Sequence, residues 1–346
     1  MRKFLMFLLI IPFVACGQQK GTDEDIIINE VFQTTSNSTD NVDSPSFWQN
    51  KDGENWIITT AKSSNILMVD NAETGKNIKK VGKKGKGLGE FERPNGIFVV
   101  DDYCFVVERD NHRLQVLHLP DFQPLAVIGD TILIKPYGIY VNKLNKLDYD
   151  VFITDNYETQ DEQTPPINEL NKRVHKFHIK ISDPNIEWEH SLAFGDTTEP
   201  GALKIVESIC GDPQNINLLI AEEDLTQSSV KIYDFNGKFT GKIFGKGLFK
   251  SQVEGIALYD CGDGKGYWIV TDQSENRNKF LFFDRITFQY IASFSANKTT
   301  NTDGIWITQK PYGKFTKGAF FAVNNDTNVS IFDLAEIIKK LNLNCK

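Results

Sequence analysis

The sequence is poor in what several large function classes require. Only five histidines and five cysteines occur in 346 residues, and no two cysteines form a Cys-x-x-Cys pair. A zinc ribbon or a thiol redox centre is therefore not encoded here. Basic residues are outnumbered 38 to 46, for a net charge of −8. The chain lacks the basic surface that holds a nucleic-acid backbone, so no nucleic-acid partner is expected. Long helical periodicity is nearly missing; the one convincing helix is "DLAEIIKKLNL" near the C-terminus. The longest apolar run, Phe4 to Phe13, falls short of the ~20 residues that span a bilayer.

That run has another reading. Arg2 and Lys3 precede it and "VAC" ends it, the order of charged, apolar and small residues found in an export signal. A cysteine directly after such a run resembles a bacterial lipoprotein signal. Residues 1–16 are then the signal up to a lipidated Cys16, residues 17–25 a polar tether, and 26–346 a single domain. The expectation is an exported bacterial lipoprotein anchored to the cell envelope, monomeric, touching the membrane only through its lipid. A plain secretory signal is the alternative. Cys104 and Cys210 lie in apolar segments and read as buried hydrophobes; an exported protein can carry a disulfide, but the sequence does not predict one.

What the chain does have is short runs of Ile, Val, Phe, Tyr and Trp between Gly/Asp/Asn turns, the pattern of an all-β domain. One hairpin recurs. "QVEGIALYDCGDGKGYWIVTDQ" has Glu254 before its first apolar run and Asp272 after its second. "VESICGDPQNINLLIAEED" has Glu207, then Glu222 and Glu223. Asn95 and Glu108, Tyr137 and Asp155, Asp303 and Asn324, and Asp43/Ser44 and Lys62 occupy the same two places in four further copies. The spacing is about 40 to 50 residues, except for a gap of about 70 that holds the polar insertion "ETQDEQTPPINELNK". A further strand pair follows several of the hairpins. Four strands per unit at this period predict a six-bladed β-propeller with four-stranded antiparallel blades, closed by the early strand "DIIINEVFQ".

In such a fold the residue before each "GI" run opens an inner strand at one mouth of the channel. The end of the second strand lies beside it. Asp43, Asp155, Glu207, Glu222, Glu223, Glu254, Asp272 and Asp303 are therefore expected as a ring. So many acids repel one another unless a cation neutralises them. With no histidine in the ring and no cysteine at a ligand-like spacing, an all-oxygen set suits calcium; a solvated mouth without metal is the alternative. Lys62, Arg93, Arg109 and Arg113, with lysines 83, 84 and 86 of "GKKGKG", place cations at or near the same face. Phosphate oxygens match such groups. "ERDNHRLQVL" is similar to an NHL-type propeller repeat, whose Asn-His-Arg turn braces the blade. The other histidines show no partner pattern and receive no role.

Over residues 200 to 340 the chain resembles the calcium-dependent β-propeller phytases. "VEGIALYDCGDGKGYWIVTDQSENRNKFLFFDRITFQYIASFSAN", "TDGIWIT" and "GAFFAVNND" follow that family's motifs in order, and "DSPSFW" is similar to its N-terminal Asp-Asp-Pro-Ala-(apolar)-Trp. The resemblance implies a phosphatase that hydrolyses phosphate monoesters of inositol phosphates with several calcium ions at the channel mouth. Position by position it implies Asp43, Glu207, Glu222, Glu254 and Asp303 as calcium ligands. Glu207, Glu254 and Asp303 would stand at the catalytic centre, and Lys62, Arg93 and Arg109 would grip phosphate. Ser44, Gln252 and Asn301 each stand where the family carries an acid, and each lowers the charge offered to calcium. The rival expectation is a non-catalytic, envelope-anchored propeller that binds a ligand or protein partner at a degenerate metal site. The residue pattern of an NHL-type lactonase or lyase is not found.

Overall fold

A computed structural model describes residues 26–182 and 185–345. The signal, the tether and Cys16 lie outside these residues. The described residues form six sheets, and the six expected blades are all present, as Val42–Val81, Pro94–Ile128, Pro136–Phe194, Ile209–Phe244, Gln252–Ala296 and Ile305–Asp333. Blades 1 to 5 each contribute four consecutive antiparallel strands. Blade 6 supplies three, and Phe32–Gln33 pairs antiparallel with Asn328–Asp333 as its fourth. The early strand thus closes the ring, as its position predicted. The sequence did not announce that Ile27–Ile28 first adds a parallel fifth strand to blade 5, beside Tyr290–Ala296.

The middle strands are buried almost throughout because each blade is covered on both faces. One apolar cluster fills each gap between neighbouring blades. Trp48, Trp56 and Phe91 lie between blades 1 and 2, for example, and Phe280, Phe294, Phe320 and Phe332 between blades 5 and 6. Six such layers lock the blades edge-on around the channel, so the strand ends at the mouth are held by packing from both sides. The helix Leu334–Lys340 is capped by Asp333, whose side chain accepts the Ala335 N–H, and it seats Ile337 in the blade 5–6 layer. A disulfide joins Cys261, at the turn of blade 5, to Cys345 beyond that helix. Cys104 is buried in the core as expected, whereas Cys210 lines the channel.

The inner strands share one irregularity. In blades 1, 2, 3 and 5 the pairing of first and second strand skips two residues: Asp43–Ser44, Asn95–Gly96, Tyr137–Gly138 and Glu254–Gly255. Such a bulge re-aims a side chain, and here Asp43, Tyr137 and Glu254 line the channel mouth while Asn95 is fully buried. The second residue of each pair must be small. A Cβ on Gly138 would stand 1.9 Å from the Glu207 carbonyl oxygen. Neighbouring blades are stitched at this level: the Gly255 N–H donates to the Asp303 carbonyl and the Gly304 N–H to that of Asp43, each at 3.0 Å.

Candidate metal and phosphate site at the channel mouth

The channel is a cavity of ≈ 240 Å³. Asp43, Tyr137, Glu207, Glu254 and Asp303 line its mouth, where the inner strands start; Phe98, Tyr140, Leu258 and Trp306 line its far end. The far end is apolar, with Phe98 packed edge-on against Trp306 and Tyr140 at 4.8 and 5.8 Å. A polar ligand therefore meets chemistry only at the mouth.

Two subsets of acids differ in how their charge is met. Glu207, Glu223 and Glu254 bring one carboxylate oxygen each to within 4.8 Å of one another. Glu223 and Glu254 are buried, and Glu223 Oε1 has no hydrogen-bond partner. Burial, followed by the neighbouring carboxylates, raises all three pKa values: Glu207 to about 8, Glu223 and Glu254 well above the ordinary range. Tyr137 faces the same acids; burial and their charge raise its pKa too.

The other subset carries its own cation. Lys62 Nζ lies 2.7 Å from Asp43 Oδ1 and 3.1 Å from Asp303 Oδ2, with Lys62 only 8% exposed. Burial works against the ammonium, yet the two aspartates outweigh it and its pKa stands above the ordinary value. Ser44 Oγ donates to Asp43 Oδ2 at 2.9 Å and Gln273 Nε2 to Asp303 Oδ1. Asp303 still rises to about 7, through burial against the pull of Lys62. Asp326 is close enough to feel Lys62 and Asp43 and adds a further acid.

Several expected ring members do other work. The acid that ends a second strand braces the loop entering its own blade, by accepting backbone N–H groups. Glu108 takes that of Glu92; Asp155 takes those of Ile134 and Lys135; Asp272 takes those of Lys250 and Ser251. Glu222 corrects the expected ligand set. Its oxygens accept from Lys204 N, Ile205 N and Asp224 N and form an ion pair with the fully buried Lys231 at 3.0 Å, which leaves nothing for a metal. Strand alternation puts Glu222 on the blade 3 side with Leu218 and Ile220, and the next residue, Glu223, on the cluster. That parity was readable from the hairpin and was the missed signal. Asn324 continues the pattern in blade 6 by accepting the Thr300 N–H.

Of the expected phosphate groups, Arg93 and Arg109 are neighbours: the Arg109 N–H donates to the Arg93 carbonyl at 3.1 Å. Arg93 has a left-handed φ of 51° and a buried Nε with no hydrogen-bond partner; Arg109 is a quarter exposed and pairs with Asp110 at 2.7 Å. Arg113 is a brace, as its motif predicted, bonded to Glu108 and to the carbonyls of Lys86, Gly87 and Glu90. Gln252 is exposed and outside the cluster.

Residues 203–335 match the phytase family. The phytase match spans blades 4 to 6, with Glu207, Glu223, Glu254 and Asp303 inside it; Asp43, Lys62, Arg93 and Arg109 lie before it. No curated protein matches the sequence significantly. Among solved structures, a Kuenenia stuttgartiensis hydrazine synthase aligns with a TM-score of 0.51 at 12% identity, over 90% of this chain and 81% of the other. A chain of a nidogen/laminin complex reaches 0.49 at 15% identity over 79% and 88%, and an Agrobacterium tumefaciens regucalcin 0.48 at 11% over 89% and 96%. The first is a likeness of fold alone, and the other two are weaker still.

Proposed function

We propose that this phytase-like propeller is a calcium-dependent phosphomonoesterase acting on small, multiply charged phosphate esters of the inositol phosphate class. The observation that carries the reading is the set of Glu207, Glu223 and Glu254, three carboxylates within 4.8 Å with one buried oxygen unpartnered. The donors fit the ion: they are all oxygen, two of the three are buried, and they are short of compensating positive charge, which suits a hard divalent cation. Glu207, Glu223 and Glu254 would hold it. Bound there, calcium supplies charge neutralisation for a phosphate and a more acidic bound water. Arg93 and Arg109, tied to each other at the rim of blade 2, hold a phosphate that reaches the mouth, with the fork geometry guanidinium offers to paired oxygens. Tyr137, neutral at physiological pH, presents a hydroxyl between them and the glutamates. The apolar far end of the channel keeps the substrate at the mouth.

The proposal extends to setting: an exported monomer tethered to the envelope through Cys16. The test is phosphate release from phytate by the purified protein, with calcium and with chelator. Release that needs calcium and disappears in Glu254→Gln supports the enzyme. No release at saturating calcium favours the non-catalytic propeller.

A further inference from the structure

The two halves of the mouth are unlike. On one side each oxygen of Asp43 and Asp303 has a cation or a donor beside it: Lys62 Nζ is ion-paired with Asp43 Oδ1 at 2.7 Å, outside hydrogen-bond geometry, and hydrogen-bonded to Asp303 Oδ2 at 3.1 Å, while Ser44 Oγ and Gln273 Nε2 donate to the others. On the other side Glu223, itself 2% exposed, keeps an oxygen with no partner at all, beside Glu207 and Glu254. We propose that Lys62 is the resident cation of the Asp43/Asp303 half, so that this mouth takes one divalent cation, at Glu207, Glu223 and Glu254. The phytase resemblance implies several ions there. The inference rests on the calcium reading of the glutamate cluster and departs from the family on the number of ions.

The chain's own substitutions support the division. Ser44 stands where the resemblance places a second acid, and in this structure its hydroxyl donates to Asp43 at 2.9 Å. A carboxylate there would repel Asp43, whereas the hydroxyl satisfies it. Asn301 likewise removes an acid two residues before Asp303. An ion entering this half must displace an ammonium that is 8% exposed and paired at 2.7 and 3.1 Å. It must also leave that ammonium in a buried place, or force it out of one. Breaking a buried pair without a replacement is strongly unfavourable, so a second ion binds roughly a hundredfold or more weaker than the first. A corollary is that Lys62, expected to grip phosphate, is committed to the aspartates and leaves phosphate to Arg93 and Arg109.

The experiment is calcium titration calorimetry on the protein lacking residues 1–21, which keeps every strand of the propeller. The expected stoichiometry is one ion, unchanged in Asp303→Asn with an affinity within about threefold of the parent, and two ions in Lys62→Met. Two or more ions of similar affinity in the parent overturn the inference while leaving the calcium reading intact. So does loss of binding in Asp303→Asn, or a single ion in a folded Lys62→Met. Should Lys62→Met not fold, the parent stoichiometry and Asp303→Asn decide alone. No binding in the parent overturns both readings.

Discussion

Replacing Glu223 by Gln should change stability in opposite directions with and without calcium. Two unit charges 4.8 Å apart, the outer limit for these oxygens, repel by about 3.5 kcal/mol at an effective dielectric near 20. Three ionised glutamates make three such pairs, about 10 kcal/mol, as large as the whole stability of a typical domain at roughly 5–15 kcal/mol. The metal-free cluster therefore holds protons, in line with a Glu207 pKa raised to about 8 by burial and by Asp43. Glu223→Gln removes two of the three pairs and puts an amide that can donate to Glu207 or Glu254 where a buried oxygen had no partner. The gain without calcium is about 1–3 kcal/mol, or roughly 2–6 °C in melting temperature near pH 8. The same change removes one charged ligand from the cation. The parent gains about 2.7 kcal/mol when calcium stands at a hundred times its Kd, roughly 5 °C; the variant should gain less than about 1 °C. Differential scanning calorimetry at pH 8, with calcium and with chelator, reads both signs. A variant that melts lower than the parent in chelator, or keeps the full calcium shift, refutes the assignment.

Three further outcomes separate braces from ligands. Glu222→Ala strands the buried Lys231 ammonium and should cost about 3–5 kcal/mol, equally with and without calcium, in urea unfolding. Asp70 is 3% exposed, and burial lifts its pKa to about 6 despite a hydrogen bond from Asn77. Between 3.8 and 6 the folded carboxyl holds more protons than the unfolded one, so its penalty grows as pH rises through that window. Asp70→Asn should therefore stabilise by up to about 3 kcal/mol at pH 8 and not at all near pH 3.5, seen as a pH-dependent difference in unfolding midpoints. Reducing the Cys261–Cys345 bridge opens a loop of 84 residues and should cost about 4 kcal/mol, with Cys345→Ser giving the same loss and no response to reductant.

Much of the fold was legible because a propeller writes its period into the chain. Each blade needs an opener at the mouth, a small residue behind it, two buried strands and a turn; the openers at 43, 137, 207, 254 and 303 line the channel, and Asn95 is buried beside it. The closing strand was readable from its place before the first blade. The site was less legible, because strand alternation says which side a carboxylate faces but not which donors or cations meet it there. Asp155, Glu222 and Asp272 sit at the ends of second strands, where unpaired loop N–H groups draw them inward. Glu223, one residue further, turns to the cluster. Composition alone could not show that Lys62 spends its charge on Asp43 and Asp303, since that pairing joins residues 241 apart in sequence. The disulfide likewise depended on where the last residues return.

The most direct measurement is a crystal grown or soaked with calcium, with diffraction recorded where calcium scatters anomalously. An anomalous peak is expected within about 2.3–2.6 Å of carboxylate oxygens of Glu207, Glu223 and Glu254, with Lys62 still between Asp43 and Asp303. An ion between the two aspartates and none among the three glutamates would contradict the account.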